Sequence, residues 1–145
     1  MRLKWFFVAI IFILGFILSG FDNKEPVKIS IVSTSVTKQG LGYDIKLKFI
    51  HCNELCKNNL HLKVKPGFDL KSLMQSNGRE LLLLNESKYI KGDIGKYYLE
   101  YKIKENEPIN EIIFFSKYAT LLVMDGSKVI QKVPLKQFRE KTLPY

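Results

Sequence analysis

The chain has 145 residues and is strongly basic, with 23 Lys and Arg against 14 Asp and Glu and a formal net charge of +9. After an N-terminal segment, its length is enough for one domain and too short for two. Lys greatly outnumbers Arg, and Lys offers a solvated point charge instead of the planar fork with which Arg reads phosphates and base edges. The composition therefore argues against nucleic-acid recognition. The positive charge either serves solubility alone, as a solvated face, or attracts an acidic protein or anionic lipid head groups.

The N-terminal segment predicts export across a membrane. Arg2 and Lys4 precede an unbroken apolar run from Trp5 to Leu18. Export machinery reads a basic end followed by an apolar stretch as a signal or signal-anchor, and the basic flank stays in the cytoplasm. We therefore expect residues 1–21 to be a signal-anchor and residues 22–145 to form an exported domain.

The leader is either kept or cleaved. Signal peptidase prefers small residues at the last and third-last positions before its cut. A cut after Gly20 would place Leu18 third-last, and a cut after Ser19 would place Ile17 there. We expect retention, with residues 5–21 crossing the inner membrane once and the domain in the periplasm. If the leader is cleaved, the domain is a free periplasmic protein.

Beyond the leader, the apolar residues recur mostly with a period of two, which is typical of strands with one buried face. In residues 42–50, for example, apolar side chains alternate with Asp44, Lys46 and Lys48. Short apolar runs of strand length complete the pattern. The predicted strands are 27–36, 42–50, 60–65, 80–84, 97–104, 109–115, 118–124 and 129–133.

Turn and helix signals complete the predicted fold. Asp125-Gly126 lies between two apolar runs and predicts a hairpin with positive φ at both residues. Asp69–Ser76 has helical spacing, with Asp69 as the N-cap and Asn77-Gly78 as the stop. Several strands with one short helix near 69–76 predict a mainly β domain, either an antiparallel β-sandwich or a barrel.

A short motif refines the expected topology. Asp93-Ile94-Gly95-Lys96-Tyr97 resembles the Asp-x-Gly-x-Tyr corner of immunoglobulin-like domains, in which the Tyr hydroxyl bonds back to the backbone upstream. The resemblance covers seven residues and ends at Leu99, where antibody domains place their second Cys. The resemblance favours an antiparallel, immunoglobulin-like β-sandwich over a barrel. It also implies a hydrogen-bonded Tyr97 hydroxyl, and it implies no function.

Both cysteines and both histidines of the chain lie between His51 and His61. In an oxidising compartment, two cysteines this close usually pair when their Cα atoms come within about 7 Å. We therefore predict a Cys52–Cys56 disulfide that closes a small loop between two strands.

The same segment supports an alternative, a copper or zinc site. Thiolate and imidazole suit both metals, and Cys52-x-Glu54-x-Cys56 resembles the dinuclear copper loop in the second subunit of cytochrome oxidase. In that loop a His follows the second Cys by four residues, whereas His61 follows Cys56 by five. Strand alternation places His51 on the opposite face, so the ligand set would be Cys52, Cys56 and His61.

Catalytic motifs are not found in the sequence. It contains no Gly-rich phosphate loop, no His-Glu-x-x-His and no Gly-x-Ser-x-Gly elbow. We therefore expect a protein that is not an enzyme, with no catalytic residues and no cofactor.

The candidate binding residues are lysines at outward strand positions. Lys46 and Lys48 lie on one predicted strand, and Lys63 and Lys65 lie on another. If the two strands form a hairpin, the four lysines cluster; in an immunoglobulin topology they belong to opposite sheets. We expect a membrane-anchored periplasmic binding module, such as an immunity or inhibitor protein against an envelope-acting toxin, or an accessory partner of a membrane assembly or sensor. The metal-handling protein is the alternative.

Overall fold

The computed structural model describes residues 24–138. The predicted anchor at 1–21 and the candidate cleavage positions lie outside the described residues, as do residues 139–145. Within residues 24–138, no helix has both the length and the apolar character that crossing a membrane requires.

The described part of the chain is mainly β, as predicted, and contains nine strands, three α-helices and a 3-10 turn at Leu135–Gln137. The helices are α1 (Glu54–Asn59), α2 (Phe68–Leu73) and α3 (Ile109–Ser116). The strands are β1 (Val27–Val36), β2 (Gly40–Phe49), β3 (Leu60–Lys65), β4 (Ser76–Asn77), β5 (Glu80–Leu81), β6 (Leu83–Lys91), β7 (Ile94–Lys102), β8 (Thr120–Asp125) and β9 (Lys128–Pro134).

Seven strands form two antiparallel sheets with one shared core. The first sheet has the order β1-β2-β7-β6 and the second has the order β3-β8-β9, while β4 and β5 pair as a separate ribbon. Buried apolar side chains from both sheets belong to a single cluster. In β2, Tyr43, Ile45, Leu47 and Phe49 are buried between exposed polar residues, and each such side chain contributes roughly 1.5–3 kcal/mol when it leaves water. The period-two pattern therefore identified the buried face of this strand.

Hydrogen bonds also join the two sheets and α3. The backbone N–H of Val64 in β3 donates to Tyr101 Oη in β7 at 2.9 Å. Gln131 Nε2 in β9 donates to the carbonyl oxygen of Val27 in β1 at 3.0 Å. Tyr43 Oη donates to the carbonyl oxygen of Ser116 at the end of α3, at 3.4 Å. These bonds fix the position of one layer relative to the other.

The predicted strand at 109–115 is wrong, because these residues form α3. Ile112 and Ser116 are buried one helical turn apart, so the segment presents a helical face to the core. A short apolar run fits a buried strand or a buried helix equally well, and here the helix is formed.

The predicted helix near 69–76 is present but shorter. It covers Phe68–Leu73, its N-cap is Gly67, and Asp69 lies inside its first turn. Met74 already has an extended backbone and leads into the β4–β5 ribbon. Asp69 is therefore not the cap that the sequence suggested.

The turn between β8 and β9 differs from the predicted one. The β8–β9 turn has Gly126 and Ser127 between the paired residues Asp125 and Lys128. Only Gly126 has positive φ, at 60°, which fits a type II′ hairpin better than the expected type I′.

The predicted strand at 80–84 is divided between β5 and the beginning of β6. Most of β6, and all of α1, had no sequence prediction.

The Tyr97 hydroxyl does not make the hydrogen bond that the immunoglobulin-like corner implies. Tyr97 lies on β7 and its ring is buried. Its Oη is inaccessible to solvent and has no hydrogen-bond partner among residues 24–138. The Tyr97 ring lies instead beneath the Lys88 amine, whose Nζ is 5.7 Å from the ring centroid in a cation–π contact.

Candidate binding surface

The structure separates the four lysines that the sequence selected. Lys46 and Lys48 lie on β2, which pairs with β1 and β7, whereas Lys63 and Lys65 lie on β3, which pairs with β8. The hairpin that would bring them together is not formed. The four lysines therefore belong to two surfaces, one on each sheet.

The surface at Lys63 and Lys65 has less free charge. Lys63 is only partly exposed and forms an ion pair with Glu80 of the β4–β5 ribbon. Lys65 is exposed and lies opposite Thr120 at the beginning of β8. One of these two lysines thus has an acidic partner within the chain.

The surface at Lys46 and Lys48 gathers further lysines from three neighbouring strands. Lys28 of β1 lies directly opposite Lys48, and Lys96 of β7 lies directly opposite Lys46. Sequence reasoning did not select these lysines, because their proximity depends on strand order and register. We call the surface the basic face. Its first rung consists of Lys28, Lys48, Ile94 and Lys91, and its second rung consists of Ile31, Lys46, Lys96 and Tyr89.

A β-bulge in β1 adds an apolar residue to the basic face. The register shifts between Ile29 and Ile31, so that Ile29 lies opposite Leu47 and Ile31 lies opposite Lys46. Without the shift, strict alternation would turn Ile31 toward the core beside Ile29; a bulge re-aims the side chains that follow it. Ile31 is consequently 56% exposed, and Tyr89 at the other end of the same rung is 62% exposed.

The charged residues of the two rungs are all lysines. Among residues 24–138, none of Lys28, Lys46, Lys48, Lys91 and Lys96 forms an ion pair. Like charges directly opposite each other on antiparallel strands are destabilising, by a few tenths to about 1 kcal/mol. The sheet therefore carries two repulsive cross-strand pairs, Lys28–Lys48 and Lys46–Lys96.

We expect Lys48→Glu to raise the free energy of unfolding by about 0.2–1 kcal/mol, because it converts the repulsive pair with Lys28 into an attractive one. The measurement is urea unfolding at low ionic strength, and the gain should shrink as salt screens the pair. Lys102→Glu on β7 is the matched control, since Lys102 lies opposite Gly40. A loss of stability in Lys48→Glu alone would contradict the pairing.

The second rung borders a shallow depression of about 140 Å³. Ile31, Lys46 and Lys96 line it together with Asp44. The surface thus combines apolar contact area with lysine amines, and the Asp44 carboxylate also borders the depression. This combination suits a partner that offers carboxylates or phosphates around an apolar centre.

The Cys52–Cys56 disulfide is present as predicted, with the two Cα atoms 5.2 Å apart. The bridged residues flank and enter α1, whose N-cap Asn53 accepts a hydrogen bond from the Cys56 N–H at 2.9 Å. Closing so short a loop stabilises the fold by roughly 2 kcal/mol in the chain-entropy treatment. The bridge mainly orders the segment between β2 and β3.

Both sulfurs of the suggested metal site are occupied by this bridge. His51 and His61 are exposed at the two ends of the segment. Among residues 24–138, no three His, Cys, Asp or Glu side chains lie close enough together to hold a metal ion. The structure therefore does not bring Cys52, Cys56 and His61 together as a ligand set.

A buried lysine fixes α1 to the first sheet. Lys57 Nζ lies 3.2 Å from Glu54 Oε1, 3.0 Å from the carbonyl oxygen of Gly92 and 3.4 Å from Asp93 Oδ1. It also lies 5.5 Å from the centroid of the Phe49 ring. Burial by itself would lower the pKa of Lys57, but the hydrogen bonds to Glu54 and Asp93 outweigh it and the net shift is upward. Sequence reasoning missed this residue, because nothing in the sequence distinguishes a buried lysine from a surface one.

Lys88 shows that not every lysine of β6 belongs to the basic face. It lies opposite Tyr97, on the inner side of the sheet. Its Nζ donates to the carbonyl oxygens of Lys57 at 2.6 Å and Leu60 at 2.8 Å, at the end of α1. A cation at a helix C-terminus satisfies carbonyls that have no partner within the helix, and burial lowers the pKa of this amine. Lys88 therefore holds α1 on the inner side of the sheet, whereas Lys91 lies on the outer side and belongs to the basic face.

Comparison with protein-family models, with curated proteins and with solved structures finds no match for this chain. No relative therefore supplies a function, a partner or a site.

Proposed function

We propose that this chain is a non-enzymatic, membrane-anchored binding module whose domain lies outside the cytoplasm and recognises an acidic protein surface through the second rung of the basic face. The observation that carries the proposal is the second rung, where two directly opposed lysines lie between an exposed Ile and an exposed Tyr. We interpret the two sheets as a β-sandwich that serves as a rigid scaffold for this surface.

Solubility alone is a weaker explanation of the basic face. Charges that serve only solubility need no particular register, and charges of mixed sign would avoid the repulsion. Here Lys46 and Lys96 lie directly opposite each other, and the sheet is weakened by their repulsion. An acidic partner would turn that cost into attraction when it binds.

The second rung contains the two components that a binding interface requires. Charge accelerates the encounter of two partners, while apolar contacts at the centre of the interface mainly set the residence time. Lys46 and Lys96 supply the charge, and Ile31 and Tyr89 supply the apolar area. Tyrosine is among the residues that most often dominate binding energy at interfaces.

The leader supplies the location in this proposal. The basic start and the apolar residues 5–21 fit an inner-membrane anchor with the domain in the periplasm. A small anchored module with a charged face suits an immunity or inhibitor protein against an envelope-acting toxin. It suits equally an accessory partner of a membrane assembly or sensor.

Membrane retention and export can be tested together. A reporter that is active only outside the cytoplasm, fused after Tyr145, should be active, and the protein should remain with membranes after a carbonate wash. Replacing Val8 and Ile11 in the leader by Asp should abolish both results, because charges in the middle of an apolar span oppose insertion. A soluble exported form that begins near Phe21 or Asp22 would contradict the anchor, and an inactive reporter would contradict export.

A further inference from the structure

We infer that one end of the domain is built to lie on the bilayer surface, where its lysines bind the phosphates of anionic phospholipids. The inference rests on the proposed anchor at residues 5–21. The surface is distinct from the second rung of the basic face, which we assign to a protein partner.

The end in question is the one where the chain enters the domain. β1 begins there at Val27, opposite Phe49 at the end of β2. The backbone N–H of Ile50 donates to the carbonyl oxygen of Pro26 at 3.0 Å, and that of Phe49 donates to the carbonyl oxygen of Asp93 at 2.7 Å. These bonds join the start of β1, the segment after β2 and the β6–β7 turn. We call this region, together with α1, the anchor end.

The anchor end must lie close to the membrane if the leader is retained. Only residues 22–26 separate Phe21 from Val27, and a fully extended chain of this length spans at most roughly 20 Å. Electrostatic attraction between exposed charges fades beyond about 8–10 Å at physiological ionic strength. The short connection therefore holds the start of β1 within roughly 20 Å of the end of the leader and allows the lysines of the anchor end to come within range of head-group charge.

The charge of the anchor end suits anionic lipid. Lys24 and the first-rung residues Lys28, Lys48 and Lys91 are all exposed there. The acids Glu54 and Asp93 at this end both bind Lys57, and Glu25 is exposed beside Lys24. Lysine clusters next to a membrane span are attracted to anionic lipids.

The apolar residues of the anchor end suit the bilayer interface. Leu55 on α1 is 69% exposed, and Ile50 after β2 is 44% exposed. Apolar side chains next to lysines allow a surface segment to enter the head-group layer while its amines contact phosphate. The anchor end therefore combines both parts of an interfacial binding site.

Leu55 is held in place before any lipid binds. It lies inside the Cys52–Cys56 loop, and the neighbouring Lys57 fixes α1 to the β6–β7 turn. Pre-ordering reduces the entropy lost on binding. The anchor itself raises the effective concentration of the surface at the membrane, so that a weak contact is sufficient.

The test uses the full chain in bilayer nanodiscs of phosphatidylcholine, with or without phosphatidylglycerol, and measures amide hydrogen exchange of residues 50–59. Exchange should be at least about five-fold slower in the anionic discs. Lys48→Glu should remove most of this difference, and it should fold at least as stably as the parent because it relieves the repulsion from Lys28. Leu55→Ser should reduce the protection without changing the charge. Lys102→Glu, on the outer side of the same sheet at the opposite end, should leave the protection unchanged.

Equal exchange rates in the two lipid compositions would overturn the inference, and so would protection that survives Lys48→Glu. Protection that appears only when envelope extract is added would assign the anchor end to a protein and would also overturn it. These outcomes leave the proposed function untouched, because anchoring is measured separately by the carbonate wash. Loss of the chain from washed membranes would instead refute the anchor, and the inference that rests on it would fail as well.

Discussion

Replacing Tyr101 with phenylalanine should lower the free energy of unfolding by about 1–3 kcal/mol. Tyr101 Oη accepts a hydrogen bond from the backbone N–H of Val64 at 2.9 Å, between the first and second sheets. Val64 is buried in β3, an edge strand that pairs with β8. Removing the hydroxyl leaves this N–H buried without a partner, which costs more than the net contribution of an ordinary hydrogen bond. The measurement is urea unfolding of parent and variant.

Tyr97→Phe is the matched control for Tyr101→Phe. Both tyrosines are buried on β7, but Tyr97 Oη has no hydrogen-bond partner among the described residues. Its removal should be neutral or slightly stabilising, because a buried polar group without a partner is itself a cost. Equal losses of stability in the two variants would contradict a stabilising contribution from the hydrogen bond between Val64 and Tyr101.

Alkaline pH should destabilise the domain strongly. Burial raises the pKa of Tyr97 and Tyr101 to about 12, and burial together with the nearby Tyr101 raises the pKa of Tyr43. The reference value is 10.0. Below pH 10, both the folded and the unfolded chain keep these protons, so the full stabilisation is present. Between about pH 10 and 12 the unfolded chain ionises first, and stability falls.

Each buried tyrosine should remove up to about 1.4 kcal/mol of stability per pH unit in that interval. The measurement is urea unfolding at a series of pH values, combined with phenolate absorbance. Phenolate from these three residues should appear together with loss of tertiary structure. Their ionisation near pH 10 in a chain that remains folded would contradict the burial.

The sequence was sufficient for features that depend on local pattern. The alternation in residues 42–50 located the buried face of β2, because one face of that strand lies on the core. The spacing of Cys52 and Cys56 was enough to predict their disulfide. Both predictions depend on neighbours within a few residues.

The features that sequence reasoning missed or predicted wrongly depend on residues that are distant in the chain. The apolar run at 109–115 fits either a strand or a helix, and packing of Ile112 and Ser116 against the core decides for α3. The bulge between Ile29 and Ile31 interrupts an alternation that looks regular in the sequence. Lys96 joins Lys46 only because β7 is the neighbour of β2. The basic face is therefore a property of the tertiary fold.

Photo-crosslinking from position 31 in whole cells tests whether the second rung of the basic face contacts a protein partner. With a photoreactive residue in place of Ile31, we predict a crosslink to one envelope protein with an acidic surface. The crosslink should disappear in Lys46→Glu/Lys96→Glu, which keeps one like-charge pair and should therefore have nearly unchanged stability. It should persist in Lys65→Glu, which changes an exposed lysine on the second sheet. A crosslink that is unchanged by Lys46→Glu/Lys96→Glu would contradict the assignment of the basic face as the binding site.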